Sequence, residues 1–214
     1  MLKATFPSVR QVLCLGAHAD DIEIGCGGAM LRLVSLYPDA DFHWVVFSAT
    51  GVRKQEAESS AGRFLRDAGS KTIEVRSFRD GFFPYEGADI KGVFEDLKKS
   101  VDPDMIFTHY GRDLHQDHRL LSELTWNTFR NHMILEYEIP KYDGGLGSPN
   151  LFVPLTEEER RWKIDLLLAE FPSQAAKKWF NEATFDALLR LRGVESNSPS
   201  GYSEGYYCRK LCCL

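Results

Sequence analysis

Short apolar runs alternate with segments whose apolar residues recur every three or four positions. Gln11–Gly16 is a six-residue run that fits a buried strand. Gly27-Gly28 then predicts a tight turn, followed by a helix with Met30, Leu33, Val34 and Tyr37 on one face. Phe42–Phe47, Thr72–Val75, Met105–Thr108 and Ile134–Ile139 read as further strands. Between them, Arg53–Ala68, Asp89–Ser100 and Arg119–Phe129 read as amphipathic helices, the first with Ala57, Ala61, Phe64, Leu65 and Ala68 inward. This alternation predicts βαβ units: an α/β, Rossmann-like, mainly parallel sheet with helices on both faces.

The remainder of the chain breaks the alternation. Pro140–Pro154 reads as a long loop rich in Gly and Pro, of the kind that usually serves function or a partner. Thr156 and Glu159 form a capping-box signature ahead of Ile164, Leu167, Leu168 and Phe171. A second extra C-terminal helix is expected near Trp179–Arg190, and Tyr202–Lys210 as a returning edge strand. No repeat or low-complexity linker divides the 214 residues, so one domain spanning 1–214 is expected.

Composition narrows the partners. With 26 Lys and Arg against 31 Asp and Glu, the net charge is −5 and no basic block offsets it, which argues against nucleic acid. No stretch is long and apolar enough for a signal peptide or a membrane span. The five cysteines form no CxxC pair and no disulfide framework, so a cytoplasmic setting is expected. The ending Cys212-Cys213-Leu214 is not a prenylation box. The long loop and the aromatic C-terminal half suggest a homo-oligomer.

Two clusters carry the chemistry: His18-Ala19-Asp20-Asp21 after the first strand, and His115-Gln116-Asp117-His118 after the fourth. Ligands of open α/β sheets bind outside the carboxyl ends of the strands, so both clusters arrive at one rim. Either cluster alone has an ordinary reading, as a solvated turn or a polar helix start. Together they offer imidazole nitrogen and carboxylate oxygen at close spacing, as a catalytic divalent metal requires. His18 and Asp21, like His115 and His118, are three apart and would share a face within a helical turn. His18, Asp21 and His118 can close on one metal. Asp20 is left over as a general base, His115 as a group to stabilise an oxyanion or protonate a leaving amine, and Asp117 to orient a histidine. Arg112 and Asp113, in the loop before the second cluster, are either solvated or in contact with substrate hydroxyls. His109 is expected to be structural, and Gly25-Cys26-Gly27-Gly28 to serve close backbone packing rather than phosphate binding.

With these residues in place, the chain resembles the PIG-L/LmbE family of metal-dependent N-deacetylases. The family's His-Pro-Asp-Asp motif corresponds to His18-Ala19-Asp20-Asp21, followed by Ile22-Glu23-Ile24-Gly25-Cys26-Gly27-Gly28, and its His-x-Asp-His motif to His115–His118. The resemblance implies zinc on His18, Asp21 and His118, with Asp20 as general base. It implies His115 at the oxyanion with Asp117 tuning it, and Arg53 at the substrate. The implied substrate is an N-acetylated amino sugar, free, nucleotide-linked or lipid-linked. Two positions depart from the pattern: Ala19 replaces the usual proline, and Asp113 stands where some members carry a mobile tyrosine. Two rival readings use the same donors. One is a non-haem Fe(II) enzyme, with Fe2+ in place of Zn2+, which the α/β pattern disfavours. The other is a non-catalytic binding module, for which Asp20 and His115 would be superfluous.

Overall fold

The computed structural model describes residues 4–212; Cys213 and Leu214 of the C-terminal ending, and Met1 to Lys3 of the stretch considered for a signal peptide, lie outside them. Strands β1 (Gln11–His18), β2 (Asp41–Ser48), β3 (Ser70–Val75), β4 (Met105–His109) and β5 (Met133–Tyr137) form a parallel sheet in the order β3-β2-β1-β4-β5. Two further strands, β6 (Leu151–Pro154) and β7 (Ser203–Cys208), extend it antiparallel beyond β5, in the order β5-β7-β6.

The period of two along β1 divides the core. Val12 and Cys14 face one apolar layer, while Leu13, Leu15 and Ala17 face the other. The first layer takes buried side chains from α1 (Asp21–Leu36), α2 (Gly51–Phe64), α5 (Glu157–Glu170) and α6 (Glu182–Glu195). The second takes them from α3 (Gly87–Ser100) and α4 (Gln116–Thr128). A strand buried on both faces has no polar side to show, hence the unbroken apolar run. The sheet is therefore mainly parallel with helices on both faces, as expected.

Three expectations are corrected. First, α1 begins at Asp21, ahead of the glycines, which lie within the helix beside a kink at Cys26 (φ −142°). Ile24, before the kink, and Gly28 and Ala29, after it, are held by distant residues. Glu204 of β7 accepts from the Gly28 and Ala29 amides at 2.7 Å each, and Lys163 of α5 donates to the Ile24 carbonyl at 2.7 Å. Lys163 and Glu204 pair with each other at 2.6 Å, both buried. Second, the long loop ends in a strand, β6, whose terminal proline suits a sheet margin. Third, β7 is an interior strand, and β6 is the edge. β6 pairs with the outer edge of β7 from Leu151 to Pro154, so the backbone groups of β7 are taken on both sides.

Gly25 is where the chain must do without a side chain. A Cβ there would fall within the ring of Tyr137, a fully buried residue whose hydroxyl donates to the Leu15 carbonyl at 2.7 Å. The expectation of close backbone packing for this glycine run matches that contact.

Candidate metal centre

The strand order reverses at β1, which pairs with β2 on one side and β4 on the other. That reversal opens a crevice at the carboxyl ends of β1 and β4. His18 is the last residue of β1, and Asp21 the first of α1. They meet across the strand-to-helix turn rather than within a helical turn. Asp21 Oδ2 accepts from the His18 amide at 2.7 Å and lies 3.2 Å from His18 Nδ1. Asp21 occupies the first turn of α1, where the helix dipole favours its negative charge.

From the second segment, His115 caps α4 in an extended conformation, with Nδ1 accepting from the Asp117 amide at 3.3 Å. That bond leaves the proton on Nε2. His118 lies in the first turn of α4, 2% exposed. Its Nε2 is 3.2 Å from His18 Nδ1 and 3.4 Å from Asp21 Oδ2. His18 Nδ1, Asp21 Oδ2 and His118 Nε2 thus form a nearly equilateral triangle. Zinc bonds of about 2.0–2.1 Å at tetrahedral angles put donor atoms roughly 3.3–3.4 Å apart, so this donor set fits the metal in both type and spacing.

The far side of the His18 ring is also furnished. His18 Nε2 lies 3.2 Å from Asp117 Oδ2 and 3.0 Å from Asp80 Oδ1. Asp117 is held by the Gly81 amide at 2.7 Å and the Phe83 amide at 3.2 Å, so both its oxygens are engaged. Its carboxylate therefore orients His18. Burial lowers the His115 imidazole below its ordinary value, and the Asp117 carboxylate acts on that ring only through its charge, which raises it. A carboxylate holding one imidazole nitrogen leaves the other free for a metal.

Asp20 stands outside the triangle, 5% exposed, with Oδ1 accepting from Arg53 Nη2 at 2.7 Å. Arg53 is anchored in turn by Glu56 at 3.2 Å and lies over the Phe171 ring at 5.4 Å. Burial raises the Asp20 carboxyl above its ordinary value, against the pull of Arg53. Burial likewise opposes charge on Asp21, yet the facing His118, His109 and His18 hold it well below the usual carboxylate range. The two adjacent aspartates are driven apart: one basic, one firmly anionic. Burial disfavours a charged His18, but Asp21, Asp117 and Asp80 reverse that and lift it well above the usual histidine value.

Arg112 is exposed beside the site, whereas Asp113, expected to meet substrate or solvent, is drawn inward and 1% exposed. Its Oδ2 accepts from Lys141 at 2.6 Å and lies 3.2 Å from His118 Nδ1. Two residues at the site were not singled out as its members. Asp80 follows β3 at the same rim, in an Asp-Gly turn that the carboxyl-end rule flags. His109 ends β4 and stacks on His118 at 3.9 Å between centroids. Its Nε2 accepts from the Ala17 amide at 2.9 Å, so that lone pair is taken. Burial and the neighbouring His118 push His109 down to about 4, which makes it a neutral packing surface for His118.

Comparison with known proteins places this geometry. The family model described as GlcNAc-PI de-N-acetylase, PIG-L, matches residues 13–129, the stretch that contains both clusters. An uncharacterised deacetylase of Escherichia coli K12, YaiS, is 30% identical over 140 residues, covering 61% of this chain and 75% of that protein. The N,N'-diacetylchitobiose deacetylase of Pyrococcus horikoshii superposes with a TM-score of 0.71 at 22% identity, over 95% of this chain and 85% of that one. GalB of Pseudomonas putida KT2440, a 4-carboxy-2-hydroxymuconate hydratase, superposes with a TM-score of 0.73 at 15% identity, over 96% and 98%. The structural likenesses are of fold, and a hydratase among them shows that the fold by itself does not set the reaction. The sequence match decides the family: this chain belongs to the PIG-L family of de-N-acetylases.

Proposed function

We propose that the chain is a zinc-dependent hydrolase that removes the N-acetyl group of an amino sugar or sugar conjugate, releasing acetate and a free amine. The carrying observation is the triangle of His18 Nδ1, Asp21 Oδ2 and His118 Nε2, with the desolvated Asp20 carboxylate beside it and outside it. A divalent ion held by those three donors, zinc or with the same set Fe2+, supplies a Lewis acid that polarises the amide carbonyl and acidifies water.

The remaining steps belong to the chain. Asp20 takes a proton from the attacking water as its oxygen adds to the carbonyl carbon. Arg53, bonded to Asp20 Oδ1, fixes the direction of that carboxylate. His115, with its proton on Nε2, donates a hydrogen bond to the developing oxyanion. Asp20 then passes the proton it took from the water to the departing nitrogen, the C–N bond breaks, and the amine leaves. Arg53 and Arg112 are assigned to the sugar.

A panel of N-acetylated sugars and nucleotide sugars, scored for free amine with zinc added, tests the reading. Asp20→Asn is expected to keep its metal and lose turnover by about 10²–10⁴-fold. His118→Ala is expected to lose the metal. Unimpaired turnover in Asp20→Asn rejects the assigned base.

A further inference from the structure

The loop after β5 reaches back to the site, and Lys141 is the charged side chain it brings there. The side chain of Lys141 is only 8% exposed, and its ammonium donates to Asp113 Oδ2 at 2.6 Å and to the Ile139 carbonyl at 3.0 Å. A cation so nearly buried is costly unless it is fully partnered, so its place calls for a reason. The other contacts of Asp113 supply one. Its Oδ1 accepts from the His115 amide at 2.8 Å, and its Oδ2 lies 3.2 Å from His118 Nδ1. Among the described residues, His118 Nδ1 makes no well-formed hydrogen bond, so Asp113 faces it as a neighbouring charge rather than as an aligned acceptor. One carboxylate therefore faces both histidines of the second cluster, and Lys141 closes its outer side.

The loop that carries Lys141 is itself fastened. Glu138 accepts from the Gly147 amide at 3.0 Å, from Tyr207 of β7 at 2.7 Å and from Arg192 Nε of α6 at 2.9 Å. Arg192 also donates to the Gly147 carbonyl at 3.0 Å. The C-terminal elements hold the loop, and the loop holds Lys141 against Asp113.

We propose that Lys141 is a positioning residue for the metal centre, fixing Asp113 so that His118 turns Nε2 toward His18 and Asp21. This rests on the metal reading above. An imidazole offers a metal whichever nitrogen its hydrogen-bond partner leaves free. With Asp113 anchored, its negative charge stays 3.2 Å from His118 Nδ1 and favours the proton on that nitrogen, so Nε2 keeps its place in the donor triangle. Without the ammonium, Asp113 loses its anchor, and both histidines of the cluster lose a fixed partner.

The test measures zinc affinity of the full chain by competition with a chromophoric chelator, alongside thermal unfolding of the chelated protein. Lys141→Met is expected to weaken zinc about tenfold, the lower end of what lost outer partners of metal ligands cost. Lys141→Arg should recover most of that loss. Asp113→Asn should weaken zinc at least as much, with the double variant no weaker than Asp113→Asn alone. Unchanged zinc affinity in Lys141→Met, with only the chelated protein less heat-stable, assigns the pair to the scaffold and overturns the proposal. Additive losses in the double variant overturn it too. Should Lys141→Met fail to fold, Asp113→Asn decides: unaltered zinc affinity there is equally fatal. A wild-type chain that binds no zinc overturns the metal reading itself, whereas a zinc-binding wild type matched by Lys141→Met overturns only the positioning role.

Discussion

Glu23 of α1 allows a stability prediction with a definite sign. Its side chain is fully buried two residues beyond Asp21, and neither carboxylate oxygen has a well-formed hydrogen bond among the described residues. Burial pushes its carboxyl from 4.5 up to about 8, against a contribution from Ser60 and with the nearby Asp20 and Asp21 charges reinforcing it. Below the unfolded value the group is protonated in both states and costs nothing. As pH rises toward 8, the unfolded chain releases the proton while the folded chain keeps it, so stability falls. The slope is about 1.4 kcal/mol per pH unit, which amounts to roughly 3 kcal/mol at pH 7. Glu23→Gln keeps the shape and removes the titration. In urea unfolding of chelated protein followed by circular dichroism, the variant should gain on the wild type by about 2.5 kcal/mol between pH 5 and pH 7. The gain should level off above pH 8. A pH-independent difference refutes the reasoning, and so does a variant less stable at pH 8, since either means the carboxylate is ionised and partnered in the fold. The neutral form also has a use: it spares the start of α1 a third negative charge beside Asp20 and Asp21.

Two further predictions follow from the fold. Lys163→Met removes the countercharge of the buried Glu204 carboxylate at the kink of α1 and should cost about 3–5 kcal/mol in chemical denaturation, as when one partner of a buried ion pair is removed. An unchanged unfolding midpoint would show that the pair does not hold the kink. Gly25→Ala drives a methyl into the Tyr137 ring and should destabilise by about 1–3 kcal/mol or more, read as a lowered Tm. A variant as stable as the wild type would mean that Tyr137 can move aside.

Much of this molecule is legible in local pattern. The buried strands, the amphipathic helices and the parallel sheet they imply follow from periodicity, because burial on one face or two leaves its mark every few residues. The two clusters are legible for a related reason: each lies just beyond a strand, and the carboxyl-end rule sends both to one rim. Element bounds are less so. α4 opens at Gln116 rather than Arg119, because His115 caps the helix from an extended conformation that apolar spacing does not register.

What the amino-acid sequence determined by itself is thus the sheet, the rim and the residue types gathered there, since all of these rest on short-range order. Tertiary structure alone decided which atoms meet. Asp113 turns inward to His118 because Lys141, 28 residues on, supplies a buried countercharge. Asp117 serves His18, 99 residues away, since two backbone amides of the segment after β3 aim its carboxylate there. β7 is interior rather than edge because β6, far earlier in the chain, pairs along its outer side, and Glu204 on its face reaches the kink of α1, 176 residues back. Such contacts join positions far apart in the chain, and no periodicity encodes them. They are set by the cost of leaving a buried charge or amide unpartnered once the layers have closed.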